Sequence, residues 1–227
     1  MKKFQLLGCS FLTILVVIGL AGCATESHQT IKPEEVTSAG TPYAGVKSTL
    51  MVGKFNNQSP YMRGVFSDGV DRLGGQAKSI LITHLQQTGR FMVVERDNMT
   101  EITNEAAIKG QQLKLKGASY VITGEVSEFG RKEVGDQQLF GILGSGKKQS
   151  AYSKVNLNVV DATTSEVVYS TQGAGEYALS DREMLGFGGS SSYDSTLNGK
   201  VLDLAVREAV NRLVEGVEQG KWRPEKQ

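Results

Sequence analysis

The sequence predicts an α+β fold: a mixed sheet with helices packed on one face, plus two hairpin-like excursions. Three observations carry this expectation. "STLMVGKF" (Ser48–Phe55), with Leu50, Val52 and Phe55 loosely alternating, "RFMVVER" (Arg90–Arg96) and "GASYVITGEVSEF" (Gly117–Phe129), with Tyr120, Ile122 and Val126 prominent, read as strands. Between the first two, Ala77, Ile80, Leu81, His84 and Leu85 recur at the helix period. After Phe129 the β-α-β-α-β order gives way to two glycine-rich returns and a closing helix, so strands and helices segregate.

Taken in chain order, the first strand leads into a long polar loop, "NNQSPYMRGVFSDGVDRLGG", with embedded aromatics. A helix is expected over Gln76–Gln87, ended by Gly89 as the residue past its C-cap. A second helix should run from Asn98 to Lys109 and stop at Gly110. Leu113–Gly117 reads as a short turn before the third strand. The first excursion spans about 130–150, with its glycine tip inside "FGILGSGKKQS". Ser150–Val160 returns from it, and Val155, Leu157 and Val159 alternate with Asn156 and Asn158. "DATTSE" turns the chain into "VVYSTQGAGEYAL", and the second excursion follows at about 176–198. A final helix is expected over Lys200–Glu218, with Val201, Leu204, Ala205, Ala209 and Leu213 inward and Trp222 packing its end.

The first residues bear on the compartment. Lys2 and Lys3 precede an apolar run from Phe4 to Leu20, which fits a secretory signal. The run ends in Leu20-Ala21-Gly22-Cys23, a sequence resembling a bacterial lipobox, in which cleavage precedes the Cys and its sulfur carries a diacylglycerol. The expected division is therefore a signal peptide over 1–22, a lipidated Cys23 with a Ser/Thr/Glu-rich tether over 23–41, and a domain over 42–227. Ala24 rather than Asp after the Cys implies export to the outer membrane. Cys9 leaves with the signal and Cys23 is acylated, so no disulfide is expected.

Charge excludes one partner class. The chain has 25 Lys+Arg and 24 Asp+Glu; without Lys2 and Lys3, 23 basic residues face 24 acidic ones, a net charge of −1. No basic cluster argues for nucleic acid. Gly141–Lys147 spells G-x-x-x-x-G-K, yet Lys148 stands where a P-loop needs a hydroxyl, and a strand pattern follows where it needs a helix, so no nucleotide is expected. His28 in the tether and His84 on a helix's apolar stripe make no metal pair, and His84 reads as structural. Asp181-Arg182-Glu183 reads as an exposed charge cluster rather than catalytic acids. No catalytic residue, cofactor or metal ligand is expected.

Several phrases together resemble one family. These are "SILITHLQQTGRFMVVERDN", "GASYVITGEVSEF", "VNLNVVDATTSEVV", "AVREAVNRLVEGV" and Gly220-Lys221-Trp222. In their order and spacing they resemble the curli production assembly/transport component family, CsgG/HfaB. The resemblance implies a periplasmic α/β domain that assembles into a ring beneath the outer membrane. In the best-known member each subunit adds two β-hairpins to a shared transmembrane barrel that exports unfolded curli subunits.

Three features depart from that pattern. The family turn D-x-x-T-G-E has Ser165 in place of its glycine, in Asp161–Glu166. The family's constriction loop corresponds to the loop holding Tyr61, Phe66 and Asp68, where the spacing does not match. Those residues are the candidate partner or pore loop; Tyr61, Met62 and Phe66 fit either a partner surface or side chains folded back on the core. The candidate membrane-hairpin residues are Leu139, Leu143, Leu185 and Phe187, yet neither excursion offers a continuous lipid-facing row.

The expectation is a non-enzymatic, lipid-anchored outer-membrane protein, its domain facing the periplasm. It should be a homo-oligomeric component in the secretion or assembly of surface material, with other lipoproteins or an exported protein as further partners. The alternative is a periplasmic adaptor or regulator that binds a partner protein without forming a pore.

Overall fold

Five strands form one sheet in the order β2-β1-β3-β4-β5. The computed structural model describes residues 32–61, 69–137, 145–182 and 197–222, with backbone alone at 133–137, 145–148 and 179–182. Residues 35–227 make up the compact unit considered below. Its elements are β1 (Ser48–Asn57), α1 (Arg72–Gln87), β2 (Phe91–Val94), α2 (Met99–Ile108), β3 (Tyr120–Gln137), β4 (Ser145–Asp161), β5 (Val167–Arg182) and α3 (Leu197–Glu218). β1 pairs in parallel with β2 and β3, and the β3-β4 and β4-β5 ladders are antiparallel. The sheet is mixed, as expected.

One face of the sheet carries the core. Leu50, Val52, Phe55, Ile122, Val126, Val155, Leu157 and Val159 are buried there under α1 and α3. α1 contributes Ala77, Leu81 and Leu85, while α3 buries eleven of its 22 residues. α2 differs, because none of its residues is buried. The other face of β3-β4-β5 is polar and cross-linked. The Asn156 amide donates to Glu125 Oε1 (3.0 Å) and Gln172 donates to Asn156 Oδ1 (2.6 Å). Beside them Ser170 donates to Asn158 Oδ1 (2.7 Å).

α1 begins four residues before the expected start. Asp71 caps it, its Oδ1 accepting the Gly74 N–H at 2.7 Å. Gly74 is therefore no turn residue. A Cβ there would meet the Phe55 carbonyl at 2.8 Å, so close approach to β1 requires glycine inside the helix. Gly89 and Gly110 take φ of +66° and +61° after the ends of α1 and α2, as expected of such terminators.

The Asp161–Glu166 turn holds Ser165 at φ +63°, among the described residues the one non-glycine in that region. Asp161 compensates in part, its Oδ1 accepting the N–H groups of Thr163 (2.7 Å) and Thr164 (2.8 Å). Those bonds, Thr164 first, hold the Asp161 carboxyl below the usual carboxylate range. The resulting stability is present above the ordinary carboxylate pKa and is lost as pH falls through the lowered one. Ser165→Gly is expected to stabilise the domain by about 1 kcal/mol, because a β-carbon is disfavoured in the left-handed region. Urea unfolding at neutral pH checks this; a destabilised variant would refute the strain assigned to Ser165.

The N-terminal boundary differs from expectation. Residues 36–41, expected in the tether, pack on the domain. Val36 joins the core, and the backbone N–H and hydroxyl of Thr37 donate to Asn211 Oδ1 (3.0 and 3.1 Å). Buried Arg90 clamps the same segment. Its Nη1 donates to the carbonyls of Ser38 (3.1 Å), Thr41 (3.1 Å) and Thr88 (2.7 Å), while Nε and Nη2 reach Glu218 Oε1 (3.2 and 2.9 Å). The sequence offered no sign of this, since an Arg opening a strand normally reads as exposed.

At the far end Trp222 joins Phe91, Tyr120 and Tyr169, with ring centroids 5.5 to 6.2 Å apart. It closes the core at the C-terminal end of α3, as its position predicts.

The two excursions share one structure. β3 runs to Gln137 with a bulge between Val126 and Glu128, and β4 pairs with it from Gln137↔Ser145 onwards. β5 continues to Arg182, paired with Gly146 of β4. The first arm of the second excursion therefore lies along the returning arm of the first, in a three-stranded ribbon. β1 leaves β3 after Asn57↔Val126. Beyond that point Glu128–Gln137 adds ten residues, about 33 Å of strand.

Candidate functional site

The β1–α1 loop and the ribbon root meet at one place. Asn57 and Asp71 brace the two ends of the loop. Asp71 Oδ2 accepts the Asn57 N–H at 2.6 Å while its Oδ1 caps α1. Asn57 in turn accepts from the Ser59 N–H (2.9 Å) and hydroxyl (2.6 Å), and its amide donates to the Tyr61 carbonyl (2.8 Å). The N–H groups of Gln58 and Ser59 both donate to the Val126 carbonyl (2.9 and 3.2 Å), where β1 stops pairing with β3. The loop thus departs directly at the base of the ribbon.

Tyr61 sits at this junction. Its ring lies 4.6 Å from that of Phe129 on β3, at 45°, and its hydroxyl accepts from the Asn198 amide at 3.0 Å. Of the two readings left open, Tyr61 takes the folded-back one. Asn198 Oδ1 accepts from Arg131 (3.4 Å), whose other amino group donates to Gln149 Oε1 at 3.1 Å. Lys200 Nζ stands 5.2 Å over the Tyr177 ring. This chain of contacts joins the loop, all three ribbon strands and the N-terminal turn of α3. Only Tyr61 of this group was singled out by sequence. Asp71 had a legible signal, an acidic residue directly before an amphipathic helix. Arg131, Gln149 and Asn198 had none, because their partners lie 18 or more residues away.

Both faces of the ribbon root are mixed in character. Phe129, Arg131, Gln149, Ala151 and Tyr177 share the helix-bearing face. Glu128, Lys132, Tyr152, Lys154 and Glu176 share the other, where Lys154 pairs with Glu128 at 2.5 Å. Tyr152 covers Gly130 across the ladder.

The remaining sequence candidates fall as follows. Cys23, Phe66, Asp68, Leu139, Leu143, Leu185 and Phe187 lie outside the described residues. Lys147 belongs to β4, its backbone paired with Gly135 and Asp181, so a strand and not a helix follows the P-loop-like glycines. His84 is buried between helices, with Nε2 2.9 Å from Asp203 Oδ1 and Nδ1 3.0 Å from Gln87 Oε1, and ties α1 to α3. Among the described residues no cluster of His, Cys, Asp or Glu could hold a metal ion, and no helix is long and apolar enough to cross a membrane.

Comparison with known proteins adds the family. A Neisseria meningitidis serogroup B protein named as a lipoprotein, NMB1126/NMB1164, is 60% identical over 207 residues, which cover 91% of this chain and 93% of the relative. Among solved structures, the PelC dodecamer from Paraburkholderia phytofirmans is similar over 75% of this chain and 91% of its own, at 15% identity and a TM-score of 0.36. Lipoprotein GNA1162 from Neisseria meningitidis is similar over 74% and 99%, at 14% identity and a TM-score of 0.35. The family model described as curli production assembly/transport component CsgG matches residues 30–227, and the chain belongs to the CsgG family.

Proposed function

We propose that the protein is a non-enzymatic lipoprotein anchored in the outer membrane through Cys23. Its domain faces the periplasm and works as an oligomeric component in the secretion or assembly of surface material. The ribbon carries this reading. The outer edge of β3 beyond Val126 and the outer edge of β5 have no strand partner among the described residues. Unpaired edges invite further strands, and closure is one way to remove them. Opposite edges of identical copies meet head to tail, and a head-to-tail contact that closes is a ring. The ten residues of β3 beyond β1 also match the 9–11 that a membrane strand needs.

The mixed charge on both faces of the ribbon root favours a second reading at that level. With Arg131 on one face and Glu128, Lys132 and Glu176 on the other, neither offers lipid an apolar row there. An adaptor that binds a partner without a pore fits such a stem. Particle images of the detergent-extracted, lipidated protein separate the cases. A ring with a membrane collar supports a pore, and a ring without one supports an oligomer that stops short of a barrel. Single subunits at every concentration would refute the oligomeric reading in favour of the adaptor.

Anchoring is tested on its own. Cys23→Ser is expected to abolish lipidation, read as loss of the diacylglycerol mass from the intact protein. Recovery of that mass on the variant would refute the lipobox. Glu35 lies twelve residues beyond Cys23, which bounds the reach of the anchor at about 40 Å.

A further inference from the structure

The sheet ends laterally in β2 on one side and β5 on the other, and exposed apolar side chains lie near each edge. After β2, α2 buries nothing; Ile108 is 77% exposed, and Leu113 and Leu115 are 38% and 56% exposed in the segment that follows. That segment is held to the β2 side: Arg96 donates to the Lys116 carbonyl at 2.5 Å, and Lys116 Nζ lies 3.4 Å from Met92 Sδ. At the other edge, Val167 opens β5 with 53% of its surface exposed, next to exposed Glu166 and the Asp161 carboxylate.

Lys116 and Val167 both lie toward the end of the sheet away from the ribbon: Lys116 reaches Met92, which pairs with Thr49 at the start of β1, and Val167 pairs with Val160 near the end of β4. The Leu/Lys segment runs directly into Ser119, whose carbonyl accepts the Ala162 N–H at 3.0 Å at the start of the acidic turn.

The geometry points to a contact between copies in which the Gln112–Lys116 segment of one subunit docks on the Asp161–Val167 corner and β5 edge of the next. This rests on the oligomeric reading and deepens it by naming the two flanks. A second copy is the occupant because the complement is present on the chain's own opposite edge: leucines for valine, and lysines for Glu166 and Asp161. The lateral sense agrees with that of the ribbon, where the free β3 edge also faces the β2 side and the free β5 edge faces away from it. One head-to-tail operation therefore brings both pairs of edges together.

The test uses the full lipidated protein in detergent at low salt, with assembly followed by mass photometry. K114E/K116E and E166K should each raise the concentration for half-assembly by about tenfold or more, since like charges then face across the contact. An equal mixture of the two variants should restore assembly, because each supplies the reversed partner of the other. Leu115→Cys combined with Val167→Cys should give a disulfide ladder on non-reducing gels, which neither single variant gives. A monomeric wild type is seen before any variant is compared; it removes the oligomeric reading and this contact with it. An assembled wild type that both charge reversals leave unchanged, with no ladder and with Lys114 and Lys116 still open to amine labelling, overturns the flank assignment alone. It would give the Leu/Lys segment to a different partner.

Discussion

Gly173→Ala is expected to destabilise the domain by about 3 kcal/mol, at the upper end of the overpacking range. For a domain of this size that lowers Tm by roughly 6–12 °C. The reason is the approach of α3 to β5. A Cβ at Gly173 would overlap the Ala205 carbonyl and the Ala209 N–H, both backbone atoms of the helix. Backbone cannot rotate away as a side chain can, so α3 must lift from the sheet along its most tightly packed length. Gly175, two residues on, is the control. A Cβ there meets Leu204 Cβ and Cγ at 3.0 Å and the Ala205 N at 3.1 Å, so the helix need give by only a few tenths of an ångström. Gly175→Ala should cost about 1 kcal/mol. Equilibrium unfolding in urea measures both; equal effects would refute the close approach at Gly173. Because α3 also supplies Asn198 to the loop–ribbon junction, its displacement should loosen Tyr61 as well, seen as faster hydrogen exchange in residues 57–61.

Arg90→Ala should cost a similar amount, about 3 kcal/mol, by a different route. The substitution leaves the carbonyls of Ser38, Thr41 and Thr88 without their charged donor. It also removes the guanidinium that lies 5.3 Å over the Tyr43 ring and the bond to Glu218. The loss should be local first: residues 36–43 detach, while β3, β4 and α3 stay protected. Hydrogen exchange would show protection lost in that segment well before global unfolding, and unchanged protection there would refute the clamp. Arg90→Lys should recover only part of the stability, since one ammonium cannot span three carbonyls and a carboxylate. In the lipid-anchored reading the same substitution lengthens the tether, so it would loosen the distance between membrane and domain without touching the anchor.

Periodicity in the sequence specified the elements that bury one face. Leu81, His84 and Leu85 at helix spacing, and Val155, Leu157 and Val159 at strand spacing, all lie in the buried layer. Local backbone chemistry was legible too. Gly89 and Gly110 end their helices at positive φ, and the turn that lacks its expected glycine holds Ser165 at φ +63°. Such signals depend on residues within one or two turns of each other, so a single sequence contains them whole.

What depended on distant partners was not legible. Gly74 read as part of the polar loop, but it lies inside α1, where the Phe55 carbonyl makes it a packing residue. Val36 looked like part of a tether, and only Arg90, brought from 52 residues away to Ser38, shows the segment to be docked. The two excursions looked like separate hairpins, because pairing between residues as distant as Gly146 and Arg182 leaves no local trace; β4 serves both. Tyr61 stood between two readings until Phe129 and Asn198, 68 and 137 residues on, supplied its ring contact and its hydrogen bond. Burial and hydrogen-bond satisfaction are settled by whichever groups the chain brings together. Local patterning therefore specifies the layers and their turns, while the assembled fold selects which polar and small residues hold the loop, the ribbon and the N-terminal segment in place.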